Sequence, residues 1–288
     1  MPEAPDLYVI RDYLESHLTG LTITKAEVLR PIVMRSMAVE PDALPDDIVG
    51  RSFSTFWRRG KFLGLGLTTG SDGSERLLVV NPMLSGALQH CAPSVRVAKR
   101  TFLVLTLSDG QQLRYTDDDQ IGMVYYLTPD QLPQIPRLTD QGPDVLNEPL
   151  SLEEFKEHLK PYRGEIKGVL TRGGAVSGIG NAYVDEVLFA AGLFPFKKLT
   201  SLSKEELAAL HHAVYTVPAN AIPVLQERMG DDIHRKVRDF LKVHGKGNQP
   251  CPTCGTNITH ITSNGHLTDY CKKCQPGSLI GGRPLSGS

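Results

Sequence analysis

The feature that most constrains this 288-residue chain lies near its end, in "CPTCGTNITHITSNGHLTDYCKKC". Cys251 and Cys254 form one C-x2-C knuckle and Cys271 and Cys274 a second, with sixteen residues between them. Two residues between thiolates let both reach one tetrahedral ion, and two knuckles complete a shell of four sulfurs. Such a shell has no open position, so it predicts one structural zinc. The competing reading is two disulfides, which belong to oxidising compartments. The N-terminus carries no basic, apolar and small-residue run of a secretory signal. A redox pair calls for a βαβ setting, which is missing. Between the knuckles the pattern around "NG" predicts a β-hairpin too small to hold together without metal. Cys91 stands alone and reads as a buried or inert thiol.

Leu7, Ile10, Leu14 and Leu18 recur at helical spacing, which predicts a helix over 5–18 closed by Gly20. The runs "LTITKAEVL", "SFSTFWRRGKFLGLGLTT", "ERLLVVNPM", "TFLVLTLSDGQQLRYTD" and "IGMVYYL" are β-rich and punctuated by turn residues. Residues 1–132 therefore read as a β-sandwich or barrel with one leading helix. Residues 133–150, rich in proline, read as an extended linker. Residues 151–248 turn helical, with capping-box patterns at Ser151/Glu154 and Ser203/Glu206 and a helical stripe in "NAYVDEVLFAAG". The ribbon takes 249–277, and 278–288 is a Gly- and Ser-rich tail expected to be disordered. The fold class is multidomain α+β.

With 32 acids against 31 bases the net charge is −1, which argues against bulk adhesion to nucleic acid. Bases still cluster at Arg58, Arg59 and Lys61 and again at Arg235, Lys236, Arg238, Lys242 and Lys246, so one face could be basic. No apolar run approaches the ~20 residues of a membrane span. A cytosolic location is the default expectation.

Two short stretches are ambiguous alone. "MPE" is either a frayed terminus or, once Met1 is removed, a free secondary amine at Pro2 beside a carboxylate at Glu3. "SGIGN", Ser177 to Asn181, is either a tight helix–helix connection or a Gly-x-Gly turn offering backbone N–H groups and Asn181 to one phosphate. It is not a dinucleotide loop, because Tyr183 stands where a third glycine is needed.

Taken together with "RRGKFL" at 58–63, "QGPDVL" at 141–146, "IKGVL" at 166–170 and "TDYCKKCQ", these stretches resemble the formamidopyrimidine/endonuclease VIII (Fpg/Nei) family of DNA glycosylases. The motifs fall in the family's order and cover nearly the whole chain. The resemblance implies an N-terminal β-sandwich, a helix–two-turn–helix domain holding "SGIGN", a zinc finger, and damaged DNA, duplex or single-stranded, lying in the cleft between the halves. It implies a monomeric, cytoplasmic, nucleoid-associated bacterial protein. It also implies excision of oxidised bases through an N-terminal proline Schiff base, followed by β(,δ)-elimination. Pro2 then attacks, Glu3 shuttles protons, and Lys61 contacts phosphate and assists elimination; otherwise Lys61 is a solvated turn lysine. His266 takes the place of the family's zinc-finger arginine, which contacts phosphate and serves catalysis. Arg100, Arg163, Lys167 and Asn181 are further expected DNA contacts.

Where family members fill the hole left by the flipped base, this chain departs. "NPMLSG" puts Leu84 in place of a filling methionine, with Met83 one position earlier, and "DDDQIG" puts Gln120 and Ile121 in place of an arginine and a phenylalanine. Three aspartates there are expected to repel phosphate. "RMGDDIHRKVRDF", 228–240, occupies the place of the loop that covers 8-oxoguanine in guanine-specific members. An AP lyase with little base excision and a non-catalytic damage-binding protein remain as alternatives; the second needs no free amine.

Overall fold

The computed structural model describes residues 1–68, 70, 73–263 and 266–277. The expected tail and the Asn264–Gly265 turn lie outside these residues. The first helix, α1, spans Ala4–Leu18. It starts at a capping box in which Glu3 N–H donates to Asp6 Oδ2 at 2.8 Å. Its stripe of Leu7, Ile10, Leu14 and Leu18 is buried.

Nine strands follow, and one short helix, α2 (Leu44–Ile48), falls among them. The strands are β1 (Ile23–Val28), β2 (Met34–Ser36), β3 (Phe53–Arg59), β4 (Phe62–Leu67), β5 (Arg76–Asn81), β6 (Ala87–Cys91), β7 (Thr101–Leu107), β8 (Gln112–Thr116) and β9 (Met123–Leu127). They form a four-stranded sheet, β1-β7-β8-β6, and a five-stranded sheet, β2-β9-β5-β4-β3. All pairs are antiparallel except β2 with β9. Leu65, Leu78 and Val80 of the larger sheet line one internal cavity with Leu88, Leu103 and Leu113 of the smaller. The sheets thus face each other as a sandwich, with α1 packed on β3.

Strand β6 is absent from the sequence expectation, because "ALQHC" is short and has no apolar run. Residues 133–150, expected as an extended linker, place Ile135 and Leu138 in a core cluster with Phe62, Leu77, Val79 and Leu127. The helices after them are α3 (Leu152–Leu159), α4 (Ile166–Thr171), α5 (Asn181–Ala190) and α6 (Lys204–Met229). Both predicted capping boxes form, at Ser151 with Glu154 and at Ser203 with Glu206. The zinc-finger hairpin consists of β10 (Thr259–Ser263) and β11 (His266–Tyr270).

The chain divides into two compact units: Met1–Asp144 with Asn220–Val237, and Val145–Ala219 with the chain from Arg238 onward. The division falls inside α6, between Pro218 and Pro223. No helix among the described residues is long and apolar enough to cross a membrane.

Candidate active site and zinc centre

The first unit holds Pro2, Glu3 and Lys61. Pro2 lines a cavity with Ser85, Gly86, Met229, Ile233 and Lys236. Glu3 is buried, at 2% exposure, where α1 begins. Lys61 sits at the turn between β3 and β4 and is half-buried. Burial lowers the Lys61 ammonium below the ordinary lysine value, while the charge of Glu3 opposes that shift.

The Lys61 turn is clamped from below. Arg58 donates to Asp144 through both terminal nitrogens, at 2.6 and 2.5 Å, and both side chains are 2% exposed. Arg58 also donates to Gly60 O at 2.9 Å, and Gly60 N–H donates to Asp144 Oδ2 at 2.7 Å. Gly60 has φ +54, and a β-carbon there would meet Gln141 Oε1 at 1.7 Å. "RRGK" and "QGPD" are thus two halves of one clamp, 84 residues apart in sequence.

Leu84 and Ile121, at 49% and 39% exposure, project from the loops 81–86 and 117–122. Met83 and Gln120 beside them hold left-handed backbone, φ 48 and φ 60. Leu84 rather than Met83 is the exposed apolar side chain. The expectation that three aspartates face phosphate is corrected: Asp117 is fully buried. Its Oδ1 accepts from Ser85 Oγ at 2.5 Å and its Oδ2 from Gly122 N–H at 2.7 Å, which ties the two loops together. Asp118 and Asp119 remain exposed. Arg100, half-buried, precedes β7 and accepts Asp117 N–H on its carbonyl at 3.0 Å. Residues 230–236 border the Pro2 cavity through Ile233, His234, Arg235 and Lys236, and Lys236 Nζ donates to Leu84 O at 3.1 Å.

In the second unit the four cysteine sulfurs lie within 4.8 Å of one another. Cys251 and Cys274 Sγ are 3.8 Å apart and Cys254 and Cys271 Sγ 3.4 Å. Sulfurs at ~2.3 Å from a tetrahedral zinc stand about 3.8 Å apart, whereas a disulfide needs about 2.05 Å. The donor set fits zinc, and all four cysteines are free thiols. Elemental analysis is expected to find about one zinc per chain. Because binding energy is folding energy for so small a ribbon, chelation is expected to expose the β10–β11 amides to hydrogen exchange and weaken DNA binding. A zinc-free protein that binds DNA normally would overturn this.

Lys167 requires a correction. It is 8% exposed, and its ammonium donates to Asp185 Oδ1 at 2.7 Å, Leu267 O at 2.6 Å and Thr268 Oγ1 at 2.8 Å. Its three N–H donors are spent, so it anchors the zinc hairpin to α5 rather than facing phosphate. His244 Nδ1 lies 2.8 Å from Asp185 Oδ2, and Asp269 Oδ2 accepts from Gly245 N–H at 2.7 Å, completing the anchor. Asn181, half-buried at the start of α5, has no hydrogen bond on its side chain among the described residues. Gly178 before it has φ +97. Arg163 is exposed, with one nitrogen on Tyr162 O at 2.8 Å. His266 opens β11, and its side chain lies outside the described residues. Cys91 is half-buried, and burial raises its thiol pKa, as suits an inert thiol.

Models of three domains match the chain in order: the formamidopyrimidine-DNA glycosylase N-terminal domain over 1–124, its H2TH domain over 141–232, and a zinc finger found in FPG and IleRS over 248–277. A formamidopyrimidine-DNA glycosylase of Desulforamulus reducens is 34% identical over 96% of this chain and 99% of its own length. The chain belongs to the formamidopyrimidine-DNA glycosylase family. It is a DNA glycosylase of base excision repair, in a family where AP lyase activity is typical. The glycosylase of Enterococcus faecalis is 30% identical over 96% of this chain and 97% of its own. Among solved structures, MutM in complex with DNA containing carbocyclic 8-oxo-G is 26% identical with TM-score 0.83, covering 96% of this chain and 100% of that one. The Lactococcus lactis Fpg with abasic-site DNA is 25% identical, with the same TM-score of 0.83 and the same coverage.

Within this glycosylase, the residue types at the site are readable in sequence, but the clamping roles of Asp144, Asp117 and Ser85 are not. The one available signal for Asp144 was its place in "QGPDVL", which carries no role until its partner at Arg58 is known.

Proposed function

We propose that Pro2, exposed as a secondary amine by loss of Met1, is the nucleophile of a combined glycosylase and AP lyase acting on damaged DNA. The observation that carries this is the placing of Pro2 on a cavity with buried Glu3 next to it in the chain and Lys61 under Glu3's charge. An α-amine titrates near 8, about two units below lysine, so a useful fraction is unprotonated at neutral pH. Its lone pair attacks C1′ of the damaged nucleotide, and the base leaves with the bonding pair and takes up a proton. The Pro2 nitrogen gives up its proton, the C1′–O4′ bond breaks as O4′ is protonated, and C1′ is left as an iminium ion. That ion acidifies C2′, whose proton passes to a base, and the 3′ phosphate departs with its C–O pair. Glu3 moves protons at the sugar. Lys61, Arg100, Arg163, Asn181 and His266 hold phosphates. We infer that it acts in the cytoplasm, on nucleoid DNA, as a monomer; its curated relatives are bacterial glycosylases.

The substrate range follows from the loops. Gln120 and Ile121 give no cationic donor to read the base opposite a lesion, and Asp118 and Asp119 repel a second strand. A single strand needs no wedge, because its bases flip at least cost. We infer good activity on single-stranded or bubble DNA, little preference for cytosine opposite the lesion, and oxidised pyrimidines or hydantoins as better substrates than 8-oxoguanine.

Borohydride trapping in single turnover tests both readings. It is expected to freeze an adduct on the Pro2 peptide with abasic DNA, and to trap an oxidised pyrimidine in single-stranded DNA faster than 8-oxoguanine paired with cytosine. Equal trapping by a protein with an uncleaved N-terminal extension refutes Pro2. Preference for 8-oxoguanine opposite cytosine refutes the loop assignment. A lyase with little excision traps on abasic DNA alone.

A further inference from the structure

Tyr115, in β8, is 1% exposed, and its hydroxyl has no hydrogen-bond partner among the described residues. The hydroxyl is wedged between two glycines. A β-carbon at Gly86 would lie 2.3 Å from Tyr115 Oη, and one at Gly122 would lie 2.0 Å from it. Gly86 ends the loop that projects Leu84, and Gly122 ends the loop that projects Ile121. One orphan donor therefore sits at the root of both. With Pro2, Pro82 and Leu88 it lines a second small apolar cavity.

Asp117, the nearby carboxylate, accepts from Ser85 Oγ and from the Gly122 and Asp119 amides and makes no hydrogen bond with the phenol. Burial first, and then the Asp117 charge, raises the Tyr115 pKa, so the phenol keeps its proton at any working pH. A buried hydroxyl without an acceptor costs stability, and a phenylalanine of the same shape avoids that cost. The Pro82 carbonyl, which with Tyr115 Oη flanks the Gly86 β-position, is a backbone acceptor for a hydrogen bond from the phenol. It also lies 2.5 Å from the Gly86 β-position, and in this state it accepts Gly86 N–H at 2.8 Å. A carbonyl has two lone pairs, and a small shift of the loop aligns the second with the phenol.

We propose that Tyr115 is a positioning residue whose hydroxyl is held in reserve: it donates to the Pro82 carbonyl when DNA shifts loop 81–86, and so fixes both wedge loops in the bound state. This rests on the proposed reading of Pro2 as the nucleophile, and it concerns the duplex complex, the less favoured one, in which these loops must meet the second strand. The free protein carries the unmet hydrogen bond, and the DNA complex makes it.

The test is Tyr115→Phe, which removes one oxygen and keeps the ring. The free variant is expected to melt at the wild-type temperature or above it. Single-turnover borohydride trapping on abasic duplex is expected to slow about tenfold, the worth of one neutral hydrogen bond. Trapping on single-stranded abasic DNA is expected to stay at the wild-type rate, because no second strand must be held off. A duplex rate equal to wild type shows that the phenol only fills space and overturns the proposal. So does a lower melting temperature, which means the hydroxyl was already satisfied in the free protein. Equal slowing on both substrates overturns the loop assignment and moves the phenol's role to the chemistry at Pro2. If wild-type protein traps neither substrate, it is the Pro2 reading that has failed.

Discussion

Replacing Glu3 with Gln is expected to slow strand cleavage at an abasic site by about 10²–10⁴-fold, the usual worth of a positioned general acid or base. The substitution keeps the size of the side chain at the start of α1 and leaves Asp6 free to accept Glu3 N–H as before. What it removes is the only carboxylate that adjoins Pro2 in the chain. Chemistry should fall while DNA affinity holds, so the measurement is a single-turnover rate at saturating enzyme beside a binding isotherm. A rate within tenfold of wild type would falsify the proton-transfer role. The pH profile gives a second readout. Burial lowers the Lys61 pKa, and Glu3's negative charge opposes the shift. Without that charge the Lys61 pKa falls further. In its proposed role as a phosphate ligand Lys61 must be protonated, so the alkaline loss of binding should begin at lower pH in Glu3→Gln than in wild type.

The second large effect is on stability. Asp144→Ala leaves the Arg58 guanidinium buried with its bidentate partner gone and Gly60 N–H without its acceptor. Breaking a buried ion pair on one side costs about 3–5 kcal/mol. For a protein of this size that lowers the melting temperature by on the order of 10 °C. Arg58→Met with Asp144→Leu should restore much of the stability, because two apolar side chains leave no buried charge. It should not restore trapping, since nothing then fixes the turn that carries Lys61. Melting curves and trapping on the two proteins separate these effects. A single variant as stable as wild type would show that the clamp contributes little.

The elements with a local signature were legible in the sequence. Paired C-x2-C spacing gave the zinc ribbon, because metal geometry fixes spacing directly. Capping boxes at Ser151 and Ser203 and the apolar stripe of α1 gave helix starts. The sandwich was legible from its β-rich runs, but β6 was not, since its half-buried "ALQHC" has no periodic signal. The continuation of α6 past Pro218 and Pro223 to Met229 was likewise hidden, because proline disfavours a helix interior locally while packing decides the outcome. At the site, residue type was legible and direction was not. Lys167 and Asp117 look like a phosphate ligand and a repellent charge. Both point inward, and each is spent on protein donors or acceptors that lie 18 to 101 residues away in one case and 2 to 32 in the other. Tyr115, in "LRYTD", gives no sequence hint of the two glycines that enclose its hydroxyl.

The first unit is discontinuous in sequence. Its wall at Met229 and Ile233, 4% and 2% exposed, lines the Pro2 cavity and comes from the stretch 220–237, 75 residues after the unit's first segment ends at Asp144. A ribosome therefore releases nearly the whole chain before that core can close. Until then the nascent β-sandwich carries an open apolar face, the kind of surface that chaperones bind and that drives aggregation. Closing it requires a long intervening segment to be gathered, so formation of the cavity that Pro2 lines belongs to the late, slow part of folding. A truncated product that stops short of residue 220 has the proline, the glutamate and the lysine, and lacks the wall that makes them a site.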